Sequence, residues 1–492
     1  MTDVTEPSPR MLRERAWNES LAAKPGALDL RIAAARIDGR IPPALRGGRL
    51  LSNGPGWNVI GGRTLHPFDG HGYVRAFRFE PDGSVHLTAR FVETPSYLAE
   101  RAAGHLVDRG LATNLAPAWR NLVPGRRRNV ANTTITRRGE RLLAGWEGGA
   151  PYALDARTLA TRGEETFGGA LAGQATLAHV KHEARTGRLV TLGVHTGPTM
   201  RFTVRELDRD DRVVHTHRAE LSGLALAHDF ALAPSWVVLG ANPVRMSPLG
   251  AAGWVLGTST LLGSLATDPR RGGALHLLSR KGEPTRTVRL PEPGWIVHFG
   301  NAFERDGALR LDACVLPHFV FGEEFGYRGP SRPFDPSLPE QRGKQTLYRI
   351  TIADGATDAR WEPLTEHGVD FPRFHPAHEG LETPALFGAT RADTRFSDPF
   401  DAIVRVDLLD RDRPDALFST PPNTFVGEPI FVPSPDRPEA GHVLAIVTRP
   451  LDARSELVVL DALALDAGPL AVVPLPLLPF AFHGDWDGAP SD

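Results

Sequence analysis

From Arg49 to Asp461 the chain keeps returning to one unit, two runs of alternating apolar and polar residues joined by a tight turn. Tyr73-Val74-Arg75-Ala76-Phe77-Arg78-Phe79, the turn Pro81-Asp82-Gly83 and Val85-His86-Leu87-Thr88-Ala89-Arg90-Phe91-Val92 are the clearest copy. Period-two alternation around such a turn specifies a β-hairpin. Further copies run through Thr134–Trp146, His182–Gly193 and Glu304–Ala313, with later strands at Leu347–Ile352, Ala402–Asp407, His442–Val447 and Glu456–Asp461. The 50 Gly and 43 Pro, about one residue in five, supply the turns and leave little room for long helices. So many hairpins with no helical block between them point to an all-β chain, and to a β-propeller ahead of a string of sandwiches. No repeat of fixed length is visible, so periodicity does not give the blade number.

At 492 residues the length would suit several average domains, but closed all-β architectures run large. One propeller domain over residues 1–492, with a polar leader at 1–35, is the expectation. A net charge of −2 carries no basic surplus for nucleic acid. Cys314 is the only cysteine, which excludes an intramolecular disulfide and a thiolate metal site and reads as a small buried apolar residue. The start Met1-Thr2-Asp3-Val4-Thr5-Glu6-Pro7 lacks a signal-peptide pattern, and no uncharged apolar run reaches about 18 residues. A cytoplasmic protein is expected.

Two segments break the hairpin rhythm. Residues 97–123 read as helical, and 244–265 form an apolar insertion almost without charge. Together they are expected to cap one face of the propeller. The apolar insertion is either buried or exposes a surface for a peripheral membrane contact or a substrate entrance. The proline-rich stretch 329–338 reads as a surface loop.

Near the end, Pro479-Phe480-Ala481-Phe482-His483-Gly484-Asp485-Trp486 carries three aromatic residues and a histidine where fraying would be expected. Such a tail must be held by something. Of 18 histidines, His179, His228, His298 and His483 each sit at the edge of an apolar run, where a propeller strand would begin near the axis. Neutral imidazoles without thiolates suit a divalent transition metal, with iron, zinc and copper all open. Their separations in sequence match no local metal motif; only a propeller axis would gather them.

The sequence resembles the carotenoid cleavage oxygenase family from Gly47 to Trp486. The resemblance is carried by Ser52-Asn53-Gly54-Pro55-Gly56, Phe68-Asp69-Gly70-His71-Gly72, Trp146-Glu147-Gly148-Gly149-Ala150-Pro151-Tyr152, His228-Asp229-Phe230, His298 with Asn301-Ala302-Phe303-Glu304, Asp370-Phe371-Pro372-Arg373, Gly427–Pro433 and Phe482-His483-Gly484-Asp485-Trp486. It implies a seven-bladed propeller whose axis holds iron(II), Fe(2+), between His179, His228, His298 and His483. It also implies that Glu147, Asp370 and Glu428 take the outward ring nitrogens of three of these. Asp370 is one methylene shorter than the family's usual glutamate, so either the backbone moves in or a water bridges. Val180 and Phe303 replace a common proline and tyrosine.

The implied activity is oxidative cleavage of a conjugated carbon–carbon double bond by O2 into two carbonyl products, with an apolar small molecule as substrate. The protein then needs to supply no nucleophile or general acid. Thr133, Trp146 and Phe371 are the implied substrate-pocket residues, with core packing the plain alternative for each. Stilbene-cleaving relatives tend to carry a lysine where Trp146 stands, which favours a carotenoid or apocarotenoid. A phenolic stilbene remains the alternative, held by Lys181 or Tyr97. A non-catalytic lipid-binding propeller and an isomerase are more distant readings.

Overall fold

The computed structural model describes residues 8–488 apart from 123–127, 196–198, 222–226, 243, 269, 271, 318–344, 393–399, 436 and 438. The expected loop at 329–338 lies outside the described residues.

Each hairpin read from the sequence pairs as expected. Tyr73 faces Phe91 and Phe79 faces Val85 across the Pro81-Asp82-Gly83 turn. In that turn Gly83 takes a φ of 82°, a backbone that suits glycine, and Asp82 Oδ1 accepts the Ser84 N–H at 3.0 Å. Repetition of such units gives seven antiparallel sheets of four to six strands and two small ribbons. One face of a twisted sheet must be covered, and here the cover is the next sheet. Seven apolar clusters join neighbouring sheets in turn, so the blades close into a ring. The molecule is a seven-bladed β-propeller.

Both ends of the ring are clasped. Gly484–Asp487 adds a strand to the first blade by pairing with Arg49–Ser52, while Asp38–Gly39 adds to the last by pairing with Pro469–Pro476. The polar leader is more ordered than its composition suggested. Pro9–Ala22 forms helix α1, capped by Ser8, whose hydroxyl accepts the Met11 N–H at 3.3 Å. Trp17 of α1 is buried edge-on against Phe425 and Phe480, and Arg13 pairs with Asp401 at 2.8 Å. Cys314 is free and buried in an apolar cluster, as its reading required.

The two rhythm-breaking segments form the cap. Residues 97–123 are helical only in part. Helix α2, Pro95–Ala103, ends at Gly104 in the left-handed conformation, and only Ala118–Leu122 resumes as a 3-10 turn. Between them the backbone is held by side chains instead of by helix bonds. In the apolar insertion, helix α3, Pro248–Val255, has no buried residue, and Leu249 is 86% exposed. Of the two fates open to this insertion, exposure is the observed one. Among the described residues no helix is long and apolar enough to cross a membrane.

Candidate metal centre

Four strands deliver one histidine each to the propeller axis. His179 precedes Lys181–Glu183, His228 precedes Ala231–Leu232, His298 lies within Trp295–Arg305, and His483 precedes the closing strand Gly484–Asp487. One nitrogen from each lies within 4.8 Å of the other three. Residues up to 304 positions apart in sequence thus converge, because every blade starts at the axis.

The outward nitrogens are engaged by carboxylates. His228 Nδ1 lies 2.5 Å from Glu147, His298 Nδ1 2.5 Å from Asp370, and His483 Nδ1 3.0 Å from Glu428. With Nδ1–H donating outward, each of these rings presents its Nε2 lone pair to the centre. Burial alone would raise the Glu147, Asp370 and Glu428 carboxyls, but the facing imidazoles, with Arg373 first for Glu428, hold all three below the usual carboxylate range. His179 has no such partner, since Asp229 stands 3.8 Å from its Nδ1. Burial, then the neighbouring imidazoles, push its pKa well down, so it stays neutral.

This donor set fits a divalent cation. Among the described residues the buried His179 Nε2 has no hydrogen-bond partner, a costly arrangement for a polar atom unless something else binds it. His228 Nε2 and His298 Nε2 are 3.1 Å apart, close to the roughly 3 Å expected of adjacent ligands about 2.1 Å from one ion. Three carboxylates crowd neutral rings, and positive charge at the centre would offset them.

Over the centre lies a cavity lined by Phe68, Leu111, Thr133, Trp146, Glu147, Trp295, Val297, Asp370, Phe371 and Phe482 around His228, His298 and His483. Its walls are mostly aromatic and aliphatic, with polar groups only where the imidazoles and their carboxylates enter. That is the composition of a site for an apolar ligand.

Comparison with known proteins agrees with this geometry. The sequence profile of the family described as retinal pigment epithelial membrane protein matches residues 25–487. The chain belongs to that family, the carotenoid cleavage oxygenases. It is 32% identical to the apocarotenoid-15,15'-oxygenase of Synechocystis sp., covering 98% of each chain. It is 31% identical to the isoeugenol monooxygenase of Pseudomonas putida, over 94% of this chain and 96% of that one. The crystal structure of cobalt-substituted Synechocystis ACO superposes with a TM-score of 0.88 at 31% identity, over 96% of this chain and 99% of that one. The relatives are named oxygenases and dioxygenases, among them the carotenoid cleavage dioxygenase 7 of Oryza sativa, and the chain is an oxidoreductase of that kind.

As a carotenoid oxygenase the chain carries one departure that the structure resolves. Asp370 reaches His298 directly at 2.5 Å, with no bridging water needed. The pairing register slips between Asp370 and Arg373, and Phe371 takes a φ of 51°, in the left-handed region. The Phe371 ring lies against His298 and His483, with centroids 5.5 and 5.0 Å away. Replacing Asp370 with alanine is expected to weaken metal binding by about 10–100-fold while the propeller stays folded. Competition against a chelator of known affinity measures this, and unchanged affinity would remove Asp370 from the site.

Thr133, Trp146 and Phe371 all line the cavity. Lys181 and Tyr97, suggested as phenol-holding groups, do not. Lys181 is tied to Asp229 at 3.1 Å, and Tyr97 packs against Trp57, His71 and Phe91 under the cap. Asp229 had gone unassigned in the sequence. Its carboxylate accepts the Phe230 and Phe299 N–H groups at 2.7 and 2.9 Å and so fixes the strands that carry His228 and His298. Its place directly after His228 was the available signal. Phe68, Trp295, Val297 and Leu111 gave none, because a wall residue looks like any core residue until its neighbours are known.

Proposed function

We propose that this chain is a non-haem iron(II) dioxygenase that cleaves a conjugated carbon–carbon double bond of a carotenoid or apocarotenoid. One double bond is broken, both oxygen atoms of O2 are incorporated, and two carbonyl products leave. The observation that carries the reading is a four-histidine centre opening onto a largely apolar cavity. His179, His228, His298 and His483 would hold the iron, with Glu147, Asp370 and Glu428 fixing the tautomers of three of them. Iron(II) held there would supply the O2 activation that a closed-shell alkene needs.

The chain's own residues then bind and orient. Trp146, Phe371 and Phe482 give flat apolar faces along which a polyene can lie, and they keep water from the reacting bond. Thr133, which lines the cavity, has its hydroxyl 3.1 Å from Asn132 Oδ1 and 3.4 Å from Glu147 Oε2, so that group is engaged away from an apolar substrate. No acid or base in the cavity is left over from holding the histidines, which suits a reaction that needs no proton transfer.

A polyene is favoured over a phenolic stilbene because Trp146 stands where a phenol-binding lysine would, and neither Lys181 nor Tyr97 reaches the cavity. Iron(II)-loaded protein in detergent, given an apocarotenal and a hydroxystilbene separately in air, is expected to convert only the first, to two carbonyl fragments identified by mass. Cleavage of the stilbene alone would reverse the substrate assignment. Tight binding of both without any conversion would favour a lipid-binding propeller.

The cap supplies the approach to a membrane. Between Ser247 and Leu265 there is no Asp, Glu, Lys or Arg, and Leu249, Val255 and Leu256 are exposed, as are Trp119 and Leu122 of the neighbouring segment. An uncharged apolar surface of this kind suits peripheral contact with a bilayer. Co-sedimentation with neutral phosphatidylcholine vesicles is expected and should be lost in the double variant Leu249→Ser, Val255→Ser; equal pelleting of both proteins would count against the contact.

A further inference from the structure

Among the described residues, Leu111 is the one cavity-lining side chain supplied by the cap segments 95–122 and 244–265. It sits in an irregular stretch, where nothing in the secondary structure fixes its position. What fixes it is a carboxylate. Asp69, only 1% exposed, accepts the Leu111 N–H at 2.8 Å on Oδ1 and the Ala112 N–H at 3.0 Å on Oδ2. Both acceptor oxygens therefore go to this one loop, in charge-assisted hydrogen bonds. The fit is tight enough that a Cβ at Gly110 would stand 2.5 Å from the Asp69 carboxyl carbon.

The base of the grip is itself anchored. Phe68, one residue before, lines the cavity and packs on Phe482 with centroids 5.4 Å apart. The Asp69 carbonyl accepts from Arg128 at 2.9 Å, and Arg128 pairs with Glu100, whose Oε1 takes the Val107 N–H at 3.2 Å. On its outer side the loop meets the apolar insertion. Leu262 N–H donates to the Leu111 carbonyl at 3.1 Å, and Arg109 donates to the Trp254 and Ser259 carbonyls at 2.8 and 2.7 Å. Leu111 is thus held between the cavity and the exposed cap surface.

We infer that Leu111 is a specificity-determining residue that limits the bulk of apolar substrate the cavity admits, and that Asp69 is the positioning residue that sets it there. This rests on the function proposed above, but the binding part does not require turnover. A leucine wall changed in volume should alter discrimination by about 10–200-fold, the range that one or two methylenes produce in an apolar pocket.

The test uses the full-length iron(II)-loaded protein and a series of polyene aldehydes graded in end-group bulk. Leu111→Ala should raise the ratio of kcat/KM for the bulkiest over the slimmest substrate by about tenfold, and Leu111→Trp should lower it by at least tenfold, both with parental metal content. Asp69→Asn keeps the shape but turns an N–H group toward one of the two loop donors. It should raise KM and move the ratio in the same direction as Leu111→Ala, with kcat held within about threefold. A purely structural Asp69 would lower the thermal midpoint without moving the ratio, and that result would overturn its positioning role.

A ratio unmoved by both Leu111 variants in folded, metal-replete protein would overturn the inference. If the parent converts no polyene at all, the dioxygenase reading fails, and a second arm judges Leu111 alone. Zinc-loaded protein is titrated with the apolar fluorophore N-phenyl-1-naphthylamine. Binding at least tenfold weaker in Leu111→Trp supports the wall, and equal binding in parent, Leu111→Ala and Leu111→Trp refutes it.

Discussion

Replacing His228 with alanine is expected to strip the centre of its metal and leave a folded propeller without activity. The loss should exceed the roughly 10–100-fold that follows removal of an outer carboxylate, because a direct donor is removed and not only the group that orients it. Once the imidazole that holds it down is gone, burial would push the Glu147 carboxyl up toward its protonated form. The stability cost is about 1–3 kcal/mol for the stranded polar group, too little to unfold a chain of this size. Metal content by elemental analysis, alongside circular dichroism, reads both halves of the expectation. A folded His228→Ala protein with one full equivalent of iron would dismantle the four-histidine centre, and His483→Ala offers an independent repeat at the opposite end of the chain.

Truncation before Gly484 should be the most destabilising single change. It removes the strand that closes the ring, with four paired residues from Arg49↔Asp487 to Ser52↔Gly484. It also removes the Asp487 bridges to Arg49 and Arg137 at 2.6 and 2.7 Å, and Trp486, which packs on Phe79 with ring centroids 5.7 Å apart. Lost ladder bonds at about 1 kcal/mol each and a tryptophan at about 2–3 kcal/mol approach 6 kcal/mol, a large share of the 5–15 kcal/mol that holds a typical domain. His483 would remain in the chain but become its frayed end, and the Gly484 N–H that Glu428 accepts at 2.8 Å beside it would be gone. The urea midpoint should fall sharply and the metal with it; a parental midpoint with full metal would show that the ring closes without this strand.

Much of this was legible in the residues. Hairpins declare themselves locally, because strand alternation and turn chemistry act over fewer than twenty residues. Alternation at Tyr73–Val92 and the Pro81-Asp82-Gly83 turn needed no distant partner to be read. The four histidines stood out by their place at strand edges, and the family resemblance joined them to Glu147, Asp370 and Glu428.

Other features depended on distance in space. The α1 helix has too little apolar periodicity to announce itself, yet Trp17 finds a slot between Phe425 and Phe480. Helical reading of 97–123 failed beyond Ala103 because the loop's backbone is satisfied by the carboxylates of Glu100 and Asp69, the latter some forty residues earlier. Whether the short Asp370 could reach His298 depended on where two separate strands place them, which only the fold gives. The sequence by itself therefore determined the strands and the turns, since these follow from local pattern and residue chemistry, while the four histidines stood out only through their strand-edge places and the family resemblance. Only the tertiary structure decided which apolar side chains became cavity wall, that the 244–265 insertion faces outward, and how the chain's two ends lock the ring, because burial is a property of neighbours and the neighbours come from other blades.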